Sequence, residues 1–277
     1  MKKTYKALLC GAAAVAAVGI AYAMDERFFE KAKDKLTVFK CRANSKIMEQ
    51  ALPLTDAMFP GPKVVSGADS AKKIPEVLKE LNVNKVMIVT GPTVGRTIVP
   101  PIAENLERHG IGYTIYDQVE ANPSVKTVEA IRAQYLENGC DGFLAIGGGS
   151  PMDAAKAAAA RVAKPNTPIG KMAGLMKVMI KVAPIVAVPT TSGTGSEVTM
   201  GAVISDHDER HKYAIMDPNL VPKYAVLDPK LTVSMPKFVT ATTGIDALTH
   251  AVESYVTWAY NNNASNRNAE EAVVKIF

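Results

Sequence analysis

The stretch Phe143-Leu144-Ala145-Ile146-Gly147-Gly148-Gly149-Ser150-Pro151-Met152-Asp153-Ala154-Ala155-Lys156 decides the fold. Four apolar residues form a short buried strand, three glycines leave it, and a helix running from Pro151 to Val162 follows. Pro151 suits the first helical turn, where a missing N–H costs nothing. Glycines let a ligand approach the backbone closely, and a helix N-terminus offers free amides and a positive dipole end to phosphate. The same glycines would also serve an ordinary tight turn.

The flanking sequence repeats the alternation. Before this stretch, Ser70 caps a helix to about Leu81, and Lys85–Val89 reads as a buried strand. A helix over Arg96–His109, a strand over Tyr113–Tyr116 and a helix over Ser124–Asn138 follow, the last starting after Asn122-Pro123. After it come strands at Ile185–Val188 and Ala225–Leu227. Short apolar strands separated by helices specify an α/β fold with a parallel sheet covered on both faces. From Pro236 the strands stop, and two helices, roughly 238–260 and 266–277, complete the chain. The expected organisation is therefore an apolar segment 1–23, a charged linker 24–61, an α/β domain 62–235 and a helical region 236–277.

A second loop with chemical content is Thr190-Thr191-Ser192-Gly193-Thr194-Gly195-Ser196-Glu197, directly after the strand that ends in Val188-Pro189. Five hydroxyls and two glycines also describe a flexible surface loop. Both loops, however, leave the carboxyl ends of parallel strands, where open α/β sheets bind nucleotides. Asp246 and His250 stand at i,i+4 on a helix, one face of which could hold a divalent metal. Such a pair arises by chance in about one chain in six of this composition, so spacing alone leaves a solvated histidine equally open. His109 precedes Gly110 at a helix end, and His207 and His211 flank a polar hairpin turn, Asp206–His211.

Composition excludes several classes. The 277 residues are 48% apolar and 21% charged, which is a globular balance. Cys10, Cys41 and Cys140 make neither a disulfide framework nor a CxxC metal motif. The net charge of +5 resides in residues 1–50, which hold 10 Lys and Arg against 5 Asp and Glu; the rest is balanced, 22 against 22. Without a basic folded face, nucleic acid is not an expected partner. Lys2, Lys3 and Lys6 precede an apolar run, Ala7–Ala23, ending in a small-x-small site, Ala21-Tyr22-Ala23. A cytoplasmic body with an uncleaved, membrane-associated N-terminal segment is expected.

Three motifs in order carry a family resemblance over roughly residues 62–277. Gly147–Lys156 resembles the GGGSxxDxAK signature of the iron-containing alcohol dehydrogenases, Pro189–Glu197 resembles their PTTxGTGSE loop, and Gly244–Tyr255 resembles their metal-binding helix. The resemblance implies a Rossmann-like domain for NAD or NADP followed by an all-helical metal-binding domain, the dehydroquinate synthase-like architecture. It implies that Gly147, Gly148 and Ser150 cradle the pyrophosphate, with Asp153 near the nicotinamide end. Thr190, Thr191 and Ser192 would line the adenosine side, and Asn122 and Lys212 would complete the pocket.

The metal implied by resemblance is Fe²⁺, or Zn²⁺, with Asp246 and His250 as two of four ligands. The family's remaining two ligands lie past the equivalent of Phe277, so the chain reads as truncated and as a poor metal binder. The implied reaction is hydride transfer between the nicotinamide and a primary alcohol or aldehyde. A catalytically inactive dinucleotide-binding fragment, or an enzyme like glycerol dehydrogenase or dehydroquinate synthase, is the alternative. A homo-oligomer is compatible with this reading, though no residue pattern specifies one. Where the family often carries an acidic residue after the first strand, this sequence has Gly91; with Arg96 one turn on, NADP(H) is expected to bind at least as well as NAD(H).

Overall fold

The structure, a computed structural model, describes residues 61–257 and 263–277. In chain order the strands are β1 (Lys63–Ser66), β2 (Lys85–Val89), β3 (Gly112–Tyr116), β4 (Gly142–Gly147), β5 (Gly174–Leu175), β6 (Ile185–Pro189), β7 (Gly201–Asp206), β8 (His211–Met216) and β9 (Tyr224–Leu227). The α-helices are α1 (Ile74–Glu80), α2 (Pro92–Thr97), α3 (Val99–Arg108), α4 (Val125–Glu137), α5 (Gly149–Ala163), α6 (Lys237–Val256) and α7 (Asn263–Ile276). The described residues divide into two compact units, Gly61–Gly244 and Ile245–Phe277.

The first unit is built on a six-stranded parallel sheet of order β1-β9-β6-β4-β2-β3. From β2 the chain steps outward to β3, then returns past β2 to β4 and continues through β6 to β9. The winding therefore reverses between β2 and β4, and a crevice opens beyond their carboxyl ends. Alternate residues along the strands serve different faces. Met87, Val89, Phe143, Ala145 and Ala187 join one core with α4 and α5. Val86, Ile88, Leu144, Ile146, Val186 and Val188 join the other with α1 and α3. Burial on both faces explains why β2, β4 and β6 read as unbroken apolar runs rather than alternating ones.

Helix α5 is enclosed on all sides: every residue from Ala154 to Ala160 has no exposed surface. It packs on β4 and β6 behind and on β7 in front, and its alanines allow both approaches. The strands β5, β8 and β7 form the second sheet, with β7 and β8 an antiparallel hairpin around residues 207–210.

Several boundaries differ from the expected ones, each for a physical reason. Strand β1 was not anticipated, because it is an edge strand whose residues are largely exposed and carry no apolar run. The single helix expected over Arg96–His109 is two, starting at Pro92 and interrupted at Ile98. Pro100 and Pro101 cannot donate to a preceding turn, so a new helix must begin just before them. Helix α5 begins at Gly149, two residues before Pro151. The polar turn Asp206–His211 is a hairpin turn as expected, but the strands flanking it were not foreseen.

The second unit comprises the later part of α6 and all of α7, in which Ala251 and Ala269 are buried. The apolar segment 7–23 lies outside the described residues, and among those no helix is long and apolar enough to cross a membrane.

Phe143 is fully buried in the central strand and stacks on Tyr135 with ring centroids 4.5 Å apart. Phe143→Ala is expected to destabilise the fold by about 3–5 kcal/mol, read as a lowered denaturation midpoint at unchanged slope.

Candidate functional site

The crevice is lined by what leaves β2, β4 and β6. Gly147 takes φ +148°, a conformation closed to side chains, and a methyl there would meet Pro151 Cγ at 2.8 Å. Gly148 is the N-cap of α5 with extended backbone, and no side chain caps the helix. The leading amides of a 15-residue helix therefore face the crevice without a capping acceptor. The β6 loop lies opposite: Thr190 N donates to Gly147 O at 2.9 Å. A methyl on Gly148 would stand 3.1 Å from Thr191 Oγ1, and one on Gly149 3.1 Å from Thr194 Cγ2. Gly193 is pressed on the first unit's part of α6, where a methyl would be 2.3 Å from Thr243 O. The two loops thus meet across glycines with room for backbone only.

Three residues expected at the cofactor come together. Asn122 adopts φ +56°, which asparagine tolerates better than most residues. Its Oδ1 accepts from Lys212 Nζ at 3.0 Å, and its amide donates to Ser150 Oγ at 3.3 Å. Lys212 reaches this point from β8, and Ser150 from the first turn of α5. Thr190 is buried, Thr191 half-buried and Ser192 exposed on the opposite loop. Gly91 follows β2 and is the N-cap of α2, with an extended backbone and no side chain of its own to cap.

Asp153 has different surroundings. Its carboxylate accepts from Ser196 Oγ at 2.8 Å and from the Val203 amide at 3.0 Å, and burial pushes its pKa up. Lys156, one turn on, was quoted in the sequence motif but given no role. It is fully buried, and its ammonium donates to oxygens of Ser196, Thr199 and Gly201 at 2.7–3.3 Å. Burial lowers its pKa to about 8, against the pull of Asp153 and Glu197. The signal for it was present: a lone charge inside Ala154–Ala160, an otherwise all-alanine stretch of about two turns with no polar face to place it on.

In the second unit, His250 Nε2 lies 3.9 Å from Asp246 Oδ1, both side chains about half exposed. The helical spacing does put them on one face. Among the described residues, no group of three or more His, Cys, Asp or Glu side chains is placed to hold a metal. His109 ends α3, with Nδ1 2.8 Å from Asn105 O, and His211 packs edge-on against Tyr213 in the hairpin.

Comparison with known proteins agrees with this geometry. The chain is 37% identical over 201 residues to the choline dehydrogenase of Bacillus subtilis, covering 71% of this chain and 50% of that protein. It is 35% identical over 204 residues to the NAD-dependent methanol dehydrogenase of Bacillus methanolicus, covering 73% and 53%. Among solved structures, a 1,3-propanediol oxidoreductase superposes with a TM-score of 0.74 at 31% identity, covering 79% of this chain and 57% of that one. The chain spans about half the length of the curated relatives it matches. The family model for iron-containing alcohol dehydrogenases matches residues 61–229, well over half of the sequence, and the chain belongs to that family.

Proposed function

We propose that this chain binds a nicotinamide dinucleotide in the β2/β4 crevice and serves hydride transfer between that cofactor and a small primary alcohol or aldehyde. The observation that carries the reading is the glycine turn Gly147–Gly149 at the uncapped start of α5, opposite Thr191 and Thr194 at the point where the sheet reverses. Such a cradle fits a pyrophosphate, whose oxygens require close backbone amides and no intervening Cβ. Family membership and similarity to a methanol dehydrogenase and a choline dehydrogenase support the alcohol substrate class.

The dinucleotide supplies the hydride chemistry when bound. This chain's residues bind and orient it. The amides of Gly148, Gly149 and Ser150 would donate to the pyrophosphate oxygens, with the helix dipole behind them. Thr190, Thr191 and Ser192 offer hydroxyls from the β6 loop. Lys212, steadied by Asn122, places a cation beside Ser150. Asp246 and His250 are proposed as two donors toward a divalent metal, iron by family. These two donors do not by themselves make a catalytic metal site, which takes three protein ligands and an open position, and among the described residues no third donor stands with them.

Gly148→Val tests the binding site cleanly, because Gly148 has an extended backbone that valine adopts without strain. Its Cβ would stand 3.1 Å from Oγ1 of the half-buried Thr191, which must give by a few tenths of an ångström, and the added methyls would crowd the turn where a pyrophosphate would sit. The expected outcome is a folded protein with NADH and NADPH affinity reduced at least about tenfold, measured by calorimetry. Wild-type affinity in that variant would overturn the reading.

The cofactor preference is proposed to follow from Gly91. Glycine in place of a carboxylate at this position removes one source of repulsion toward a 2′-phosphate, and Arg96 of α2 is an exposed cation close by in sequence. Gly91→Asp suits the extended backbone of a helix N-cap, where aspartate is favoured, although its Cβ would stand 3.2 Å from Val119 O and that carbonyl must give by a few tenths of an ångström. We expect the wild type to bind NADPH at least as tightly as NADH, and the aspartate to shift preference toward NADH. Parallel titrations at one salt concentration measure both; an NADH-selective wild type that the aspartate leaves unaltered would remove Gly91 from the choice.

A further inference from the structure

Strand β7 is the outer strand of the sheet β5-β8-β7, and among the described residues its side away from β8 meets no strand, only an isolated bridge between Ser205 and Ser124. Side chains of α5 take that place. The Val203 amide donates to Asp153 Oδ2 at 3.0 Å, and the Gly201 carbonyl accepts from Lys156 Nζ at 2.9 Å. The Ser205 amide finds Pro123 O at 2.9 Å. Asp153 and Lys156 are three residues apart on α5 and so share a face.

The same two side chains also close on the segment just before β7. Lys156 Nζ carries three hydrogens and has five oxygens within reach: Ser196 O at 2.7 Å, Ser196 Oγ at 3.1 Å, Thr199 O at 2.9 Å, Thr199 Oγ1 at 3.3 Å and Gly201 O. Ser196 links the pair, its hydroxyl accepting from Lys156 and donating to Asp153. Both Asp153 oxygens and every Lys156 hydrogen are thereby engaged within the protein. The segment so held starts where the Thr190–Gly195 loop ends and runs into the hairpin that carries Lys212.

We propose that Asp153 and Lys156 are positioning residues that stand in for a missing strand beside β7, and so hold the β6 loop and Lys212 at the crevice without touching the cofactor themselves. This rests on the dinucleotide reading above and departs from the nicotinamide-side role that the resemblance implies for Asp153. Asp153 is only partly exposed, and each of its carboxylate oxygens already accepts an internal hydrogen bond, which commits the group to Ser196 and β7.

The test compares Asp153→Ala, Asp153→Asn and Lys156→Met with wild type. Two probes are titrated calorimetrically: the tighter binding of NADH and NADPH, and the matching ADP-ribose fragment, which lacks the nicotinamide. Backbone hydrogen exchange at Val203 is followed without any ligand. We expect Asp153→Ala to weaken both probes by the same factor, about tenfold, and to speed exchange at Val203. Asp153→Asn should recover most of both, since its amide oxygen can still accept from Val203 and its nitrogen can donate to Ser196. Loss of dinucleotide affinity with unchanged ADP-ribose affinity would assign Asp153 to the nicotinamide and overturn the proposal. Unaltered Val203 exchange in the alanine variant would overturn it as well. If wild type bound neither probe, the dinucleotide reading would fail, while the exchange comparison would still decide whether the clamp exists. Should Lys156→Met not fold, the Asp153 pair carries the test.

Discussion

Two turns of α5 without any solvent-facing side impose the rest of the arrangement. A helix packed between two sheets must be smooth, and Ala154, Ala155 and Ala157–Ala160 make it so. It must also leave no polar group unpaired, because an unsatisfied buried ammonium is far more costly than the hydrogen bonds it could make. Lys156 meets that condition only because the chain from Ser196 to Gly201 brings carbonyls and hydroxyls to it. The packing of one helix therefore dictates the path of a loop that starts at the neighbouring strand end. Fold and site are coupled at that contact.

The sheet was legible where burial on both faces left continuous apolar runs. Strands β2, β4, β6 and β9 could be placed within a residue or two, as could the half-exposed edge strand β3 from its aromatic and β-branched residues, and the glycine turn after β4 placed the start of α5 within two residues. What escaped was structure without such a signature. Strand β1 is stabilised by pairing with β9 rather than by its own side chains. Strands β7 and β8 carry mixed residues, because one face meets α5 and the other meets solvent, as Val203 and Lys212 show.

The site divides in the same way. The glycines of the β4 turn could be assigned from sequence because their function is steric, and steric needs leave few residue types to choose from. The meeting of Asn122, Ser150 and Lys212 depends on tertiary closure across 90 residues, and only the family resemblance pointed to it. Lys156 was visible as an anomaly, a charge in an apolar helix, yet its partners lie 40 residues downstream and no local pattern names them. Asp246 and His250 illustrate the reverse case: their helical spacing is correct, and spacing alone makes no coordination sphere.

Sealing β7 with side chains has one further consequence, for solubility. A free strand edge is a template on which another chain can add a strand, and proteins usually blunt it with charge, proline or a covering element. Here the amide of Val203 and the carbonyl of Gly201 are occupied by a carboxylate and an ammonium, so an incoming strand would find a donor and an acceptor of that edge already taken. Ser205, bound to Pro123 O, closes the far end. The exposed Val203 side chain sits on this edge. With its backbone blocked, that valine is a solvated surface residue rather than the centre of a sticky strand.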